Sequence, residues 1–235
     1  MSVAYQTTFG PILGSGVSSV STSTTTPGAG TNLCVVFAAS TLFPTSISDI
    51  AGGSYSPVAQ VGVATPHGVG LYYSFALYGA PFSGGVNNKF TVNLGGTGNA
   101  SISAHCISGI AASSALDIVA GGSGSGTSYI NEGTPRVGLN EILLNVFTDD
   151  DINGETWSAA DWTQVGSPLS GGSGIIPFQV QYLIQASTTV GAYAATVTKS
   201  STGSNYIGAM LSFSATPLST LTPPFYNRRN VLYMS

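Results

Sequence analysis

The stretch KFTVNL, residues 89–94, decides the fold class because polar and apolar side chains alternate along it. In an extended chain, Phe90, Val92 and Leu94 lie on one face and the intervening polar residues on the other. A period of two is typical of a β-strand with one buried face, whereas an amphipathic helix needs a period near 3.6. The stretch therefore predicts a half-buried strand.

Short apolar or alternating runs recur along most of the chain, separated by clusters of Gly, Ser, Asn and Pro. We expect the glycines of TVNLGG (91–96) and GSGSG (122–126) to end the strands beside them, because glycine favours turns. No window shows a sustained helical period with a cap, so no long helix is predicted. The predicted strands are Leu33–Ala39, Gly70–Leu77, Lys89–Leu94, Ala100–Ile107, Glu141–Thr148, Phe178–Gln185, Ala192–Thr198 and Tyr206–Phe213.

Regularly spaced short strands predict an all-β fold, a two-sheet antiparallel β-sandwich of jelly-roll-like type with extended N- and C-terminal arms. A length of 235 residues suits one such domain. The expected division is an N-terminal arm or lead-in strand over 1–30, the sandwich over 31–216 and a C-terminal docking arm over 217–235. The expected core contains Val36, Phe75, Val92, Leu143, Val146, Leu183 and Phe213.

The chain carries few charges. It has five basic and nine acidic residues, 6% of the total, and a net charge of −4. Soluble domains have about a quarter of their residues charged. The surface must therefore consist mainly of Ser, Thr, Gly, Asn and Gln, and weak charge repulsion favours association between copies. The lack of basic residues argues against nucleic-acid binding.

The two cysteines, Cys34 and Cys106, each lie in an apolar, strand-like run. Two are too few for a disulfide framework, so we expect two buried free thiols, with a bridge as the alternative.

Neither a secretory signal peptide nor a membrane-spanning segment is expected in this sequence. The start, MSVAYQTTFGPILG, lacks the charged and apolar regions of a secretory signal peptide. No stretch approaches about 18 uninterrupted apolar residues, so membrane insertion is not expected.

The acidic loop at 149–155 matches D-x-D-x-N-G, the first half of an EF-hand calcium loop. Position twelve of that pattern is Ala160 rather than Glu. Two interpretations stay open: a structural Ca²⁺ site, which would be the only cofactor, or a solvated acidic turn. The candidate ligands are Asp149, Asp151, Asn153, Glu155 through its backbone carbonyl, and Asp161.

No catalytic signature is present: the sequence lacks G-x-S-x-G, a P-loop, H-E-x-x-H and C-x-x-C. His67 lies in a Pro/Gly loop, and His105 is expected to be a passive strand residue. We therefore expect no enzymatic activity. Trp157, beside the acidic loop, is the candidate for stacking on a glycan, whereas Trp162 is expected to be buried at the start of a strand.

The C-terminal segment is apolar but interrupted by Pro217, Pro223 and Pro224, which prevent regular structure. Aromatic and Arg residues are enriched at binding hot spots, so the segment is predicted to dock on a neighbouring protein. The alternative is that it covers an open edge of its own sandwich. The candidate docking residues are Phe225, Tyr226, Arg228, Arg229, Leu232 and Tyr233.

In order along the chain, strand endings and turns over about residues 30–215 form one pattern. Its segments are GTNLCVVFAAS, TSISDIAGGSYSPVAQVG, GLYYSFALYG, KFTVNLGG, ASISAHCISGIAASSALDI, NEILLNVFTDDD, WSAADWTQVG, FQVQYLIQA and YIGAMLSFSA. This pattern resembles a β-sandwich module of phage and bacterial surface proteins, which carries no shared active site.

The resemblance implies a phage virion structural protein, either a capsid decoration or a tail-associated subunit. Its expected partners are copies of itself and other virion proteins. Its expected location is the virion, after synthesis in the host cytoplasm. The alternative implied function is a glycan-binding adhesin or fibre head that recognises a cell surface.

Overall fold

The computed structural model describes residues 2–42, 44–52, 55–62, 70–77, 87–111, 115–126, 128–133, 140–149, 162–169, 178–185, 193–198 and 205–215. Their strands are β1 (Ala4–Ser21), β2 (Thr31–Ser40), β3 (Pro44–Asp49), β4 (Ser56–Gly62), β5 (Gly70–Leu77), β6 (Phe90–Ser108), β7 (Leu116–Ser125), β8 (Ser128–Gly133), β9 (Glu141–Asp149), β10 (Thr163–Leu169), β11 (Phe178–Gln185), β12 (Tyr193–Thr198) and β13 (Asn205–Ser214).

Two antiparallel sheets form the body of the molecule. The first has the strand order β1-β6-β2-β5-β4, with β3 also paired to β6, and the second has the order β10-β11-β9-β13-β7. Strands β8 and β12 form a separate two-stranded sheet. The predicted all-β, two-sheet antiparallel architecture is confirmed, and the jelly-roll connectivity stays a prediction. Most of the predicted N-terminal arm or lead-in strand is β1, a strand of the first sheet.

The core between the two sheets is built from alternate residues of their central strands. β2 contributes Leu33, Val35 and Phe37, and β9 contributes Leu144 and Val146. These β-branched, aliphatic and aromatic side chains suit a pleated, buried surface. Because the side chains between them point the other way, each sheet has a second face that also needs cover.

Both second faces are covered. On the first sheet, Cys34 and Val36 join a separate buried cluster with Phe90 and Val92. On the second sheet, side chains of β9 and β13 pack against β12 and a tryptophan. Since both sheets are packed on both sides, their central strands are apolar along nearly their whole length.

The glycines after KFTVNL do not end its strand, so that expectation was wrong. β6 continues through Gly95 and Gly96 and stays paired with β1 on both sides of them. The strand bends here: the ring of Phe90 packs edge-on against Phe9, with 4.9 Å between centroids, while Phe9 pairs with Ala104. The first half of β6 therefore folds back over the outer face of its second half.

Glycine suits this bend because side chains of the segment after β2 come close to it. A Cβ atom on Gly98 would lie 2.7 Å from Thr41 Oγ1 and 3.2 Å from the side chain of Leu42. The neighbouring strands follow the same bend, since β2 pairs with the second half of β6 and β3 pairs with the first half. The first sheet is thus folded over itself, and the glycines permit the close approach.

The strand does end within GSGSG, as expected, but only after its first two glycines. Gly122 and Gly124 lie in β7, where Gly122 pairs with Gly208 of β13, and the strand ends at Ser125, before Gly126 with φ +130°. Strand β13 supplies the backbone hydrogen bonds that hold this glycine-rich end of β7 in the sheet.

The predicted core residues lie mostly where expected. Leu183 is partly buried against the cluster on the second sheet, and the side chain of Phe75 lies outside the described residues. Trp162 is buried directly before β10, as predicted, and its Nε1 donates to the carbonyl of Ala194 at 3.2 Å. The fully buried members of the predicted set are Val36, Val92, Leu143, Val146 and Phe213.

Candidate functional site

The outer face of the folded-back part of the first sheet carries a regular array of small polar side chains. They come from three neighbouring strands, with β6 in the middle and β1 and β3 on either side. The register places them in two rows across the strands. We call this surface the hydroxyl face; its rows are Ser19–Asn93–Ser46 and Ser21–Thr91–Ser48.

The alternation of KFTVNL and its neighbours explains why these side chains point outward. Val20 and Val92 are buried in the cluster inside the fold, and Ile47 packs against it. Successive side chains of a strand point to opposite faces. The residues on either side of each buried one therefore form the outer surface, where Ser19 and Ser48 are exposed.

The side chains of the hydroxyl face bond to one another across the strands. The hydroxyls of Ser21 and Thr91 are 2.8 Å apart, and Asn93 Nδ2 donates to Ser46 Oγ at 2.9 Å. A hydroxyl has one donor and two acceptor positions, so each keeps capacity for an external partner. The face is therefore suited to hydrogen bonding with another polar surface, directly or through water.

Where the structure describes the exposure of a side chain, no exposed side chain carries a charge. Asp117 and Glu141 are buried, and Asp49 and Lys89 are half-buried. The Asp49 carboxylate accepts hydrogen bonds from Tyr55 at 2.6 Å and Asn88 at 2.9 Å. The exposed side chains that the structure describes therefore form a neutral surface.

A second polar group lies inside the sandwich, around His105 on β6. The imidazole is fully buried, with Nδ1 2.6 Å from the hydroxyl of Tyr5 and Nε2 2.8 Å from that of Ser103. Both hydroxyls can donate or accept, so either neutral tautomer is satisfied. Tyr5 in turn stacks on Tyr182 of the second sheet, with centroids 4.4 Å apart and ring planes 5° from parallel. The group ties the two sheets together.

Burial dominates the acid–base behaviour of this group. It lowers the pKa of His105 to about 3 and raises the pKa of Tyr5 above its usual value. At neutral pH the imidazole is therefore uncharged and a weak base.

The Ser103–His105 pair has the distance of a nucleophile and its base, but no room for a substrate beside it. The crevice next to it, lined by residues that include Thr8 and Val165, is too narrow for a water molecule. A general base works best with a pKa near the working pH. The geometry and the low pKa both fit a buried structural contact between sheets.

Stability is expected to fall below about pH 6.5 because of His105. Its pKa is about 6.5 in an unfolded chain and about 3 in the folded protein, so between these values only the unfolded state takes up the proton. The stability that the neutral, buried His105 contributes is therefore fully present above pH 6.5 and is lost as the pH falls toward 3. Urea unfolding should give a free energy about 2 kcal/mol lower at pH 5 than at pH 7.5 from this group alone.

His105→Asn provides the comparison for that measurement, because every other titrating group is shared with the wild type. Between pH 7.5 and pH 5, the free energy of unfolding of the variant should fall by about 2 kcal/mol less than that of the wild type, whatever its stability at pH 7.5. An equal pH dependence in both proteins would contradict the assignment. The other histidine, His67, lies outside the described residues.

Most site residues predicted from the sequence lie outside the described residues and stay predictions. Of the calcium-loop candidates, Asp149 ends β9, but its side chain is not described. The remaining candidates are not described either: Asp151, Asn153, Glu155 and Asp161 of the loop, the glycan candidate Trp157, and the docking residues Phe225, Tyr226, Arg228, Arg229, Leu232 and Tyr233.

Two further observations concern the described residues alone. They contain no group of three or more His, Cys, Asp or Glu side chains placed to hold a metal ion. Nor do they include a helix long and apolar enough to cross a membrane.

Sequence reasoning assigned the two faces of only the central strand of the hydroxyl face, through the polar half of KFTVNL. It gave β1 only as an arm or lead-in strand and did not assign its faces, because the run VSSVSTSTTT at residues 17–26 has too few apolar residues to show a period of two. The single signal was Val20, an isolated apolar residue between two serines.

Comparison of the chain with protein-family models, with curated proteins and with solved structures finds no match.

Proposed function

We propose that this chain is a structural subunit of a phage virion, a capsid decoration or tail-associated protein. It acts by packing against copies of itself and other virion proteins and performs no chemistry. The observation that carries the proposal is that none of the side chains whose exposure the structure describes is both exposed and charged.

A neutral surface favours repeated packing for a physical reason. Net and local charge of one sign keeps protein copies apart, and this surface has almost none to do so. A partner for a neutral, hydrogen-bonding face must itself be neutral and polar, because a charged group buried there would lose its hydration without compensation. Another copy of the same chain meets that requirement.

The hydroxyl face is suited to many weak contacts rather than one strong one. Three strands about 4.8 Å apart and two rows about 6.8 Å apart give an area on the order of 200 Å². Stable pairwise interfaces bury about 800 Å² per partner. A single contact through this face would therefore be weak, but in a repeating array of subunits many such contacts would act together and stabilise the assembly. The C-terminal docking arm, proposed from the sequence, would add a second attachment.

Charge placed on the hydroxyl face is expected to weaken self-association. In Ser19→Asp/Ser48→Asp, two carboxylates would meet the same carboxylates of a second copy. Repulsion between these like charges makes the free energy of association less favourable, and we expect the association constant to fall about tenfold or more. Sedimentation velocity over a concentration series measures the association, and both positions are exposed, so the melting temperature should be unchanged.

A matched control carries the same charge elsewhere. In Thr196→Asp/Thr198→Asp the carboxylates lie at exposed positions of β12, away from the hydroxyl face. It should associate as the wild type does. Equal weakening in both variants, or a wild type that stays monomeric at every concentration, would contradict a role for this face.

Membership of the virion is tested by quantitative mass spectrometry of purified particles. A decoration or tail-tube subunit should be present in many copies per particle. Absence from particles would reject the proposal, and a few copies per particle would favour a glycan-binding fibre head.

A further inference from the structure

Cys34 and Cys106 face each other at the centre of the first sheet. They are directly opposed in the register of the antiparallel strands β2 and β6, and their Sγ atoms are 2.9 Å apart. Both are fully buried, and both are thiols rather than halves of a disulfide. They lie 72 positions apart in the sequence, so only the fold brings them together.

The register brings the two cysteines close to the backbone spacing that a disulfide needs. Directly opposed residues of antiparallel strands have Cβ atoms about 4.5–5.5 Å apart, and a disulfide joins Cβ atoms about 3.5–4.5 Å apart. The two sulfurs point at each other within the same apolar cluster, beside Val36 and Ala104. A slight approach of the two strands together with small rotations of the two side chains would bring the sulfurs to bonding distance.

We propose that Cys34 and Cys106 are a covalent modification site: a dithiol in a reducing compartment that becomes a disulfide joining β2 to β6 under oxidising conditions. The inference is independent of the proposed virion role. It rests on the opposed register, the contact between the sulfurs and the absence of other cysteines from the chain.

The oxidant is a small disulfide such as oxidised glutathione. One cysteine thiolate attacks a glutathione sulfur, forms a mixed disulfide and releases one glutathione thiolate. The second cysteine thiolate attacks the protein sulfur of that mixed disulfide and releases the other glutathione thiolate. The protein loses two electrons, oxidised glutathione gains them, and the two cysteine protons end on the two glutathione thiols.

Burial decides when this exchange happens. Neither sulfur is exposed, so a glutathione molecule reaches them only when β2 and β6 are apart. The bond therefore forms during folding or a large opening. Once formed, it resists reductants in the folded protein for the same reason.

The effect on stability comes mainly from the unfolded chain. A bond between the two cysteines closes a loop of roughly 70 residues and restricts the denatured ensemble. For a chain of this size, the expected result is a melting temperature about 10 °C higher for the oxidised protein.

The test refolds the full chain from denaturant, either with oxidised glutathione or with dithiothreitol. Both samples are then unfolded, treated with iodoacetamide and weighed by mass spectrometry. The oxidised monomer should take up no alkyl group and show a Cys34–Cys106 linked peptide. The reduced protein should take up two groups. The melting temperatures should differ by about 10 °C.

Two variants separate the bond from general effects of the refolding conditions. Cys34→Ser and Cys106→Ser should show no redox-dependent change in melting temperature, while their circular dichroism matches that of the reduced wild type. If either serine variant fails to fold, Cys34→Ala/Cys106→Ala supplies the same comparison without a buried hydroxyl. Two alkylated thiols in natively folded protein from the oxidised sample, or disulfide-linked dimers instead of monomers, would overturn the proposal.

Discussion

Replacing Phe37 by alanine is expected to lower the free energy of unfolding by about 3–5 kcal/mol. Phe37 is fully buried in β2, in the core between the two sheets, with its ring 5.4 Å from that of His105. The other face of β2 packs against the second buried cluster, so the strand has no free side toward which it can relax. The cavity should therefore persist. Urea denaturation followed by tryptophan fluorescence measures the loss.

Leu13→Ala is the control for that experiment. Leu13 is on β1 and 37% exposed, so its truncation should change the free energy of unfolding by no more than about 0.5 kcal/mol. Domains of this kind are stable by about 5–15 kcal/mol, so Phe37→Ala alone removes a large part of that. Similar losses in the two variants would show that the core between the sheets is not packed as described.

Gly109→Ala is expected to cost about 3 kcal/mol for two separate reasons. Gly109 has φ +76°, a left-handed conformation that costs an L-residue about 1–2 kcal/mol. An added Cβ would also collide with the backbone carbonyl of Ser2, which cannot rotate away as a side chain would. Thermal and urea unfolding measure the sum.

Gly30→Ala separates the two contributions. Gly30 has φ +83°, and its nearest atom would be 3.9 Å from the new Cβ, so only the backbone cost applies. Removing residues 1–3 should relieve the collision at Gly109, so that both substitutions then lower the free energy of unfolding by the same amount. A double-mutant cycle subtracts the effect of the truncation itself. A difference that survives the truncation would contradict the collision.

Strands with a clear local pattern were predicted from the sequence. KFTVNL and the buried run of β9 can be recognised as strands from a few residues each. The signal is alternation in the first and continuous apolarity in the second, and both depend only on neighbours along the chain. β1 was predicted only as an arm or lead-in strand, and the glycine-rich end of β7 was predicted as a break. Their Ser- and Gly-rich sequences have no such pattern, and both are strands because β6 and β13 offer them backbone hydrogen bonds.

The sequence by itself determined the fold class, the near absence of charge from the surface and the burial of most of the expected core, including Val36 and Phe213. These depend on composition and on patterns shorter than ten residues. Only the tertiary structure decided that the first sheet bends at its glycines, that Ser19 and Ser46 lie on either side of Asn93, and that the two cysteines meet. Each of these three features depends on contacts between residues that are distant in sequence. Such contacts depend on strand register and on the path of the chain, which no local pattern encodes.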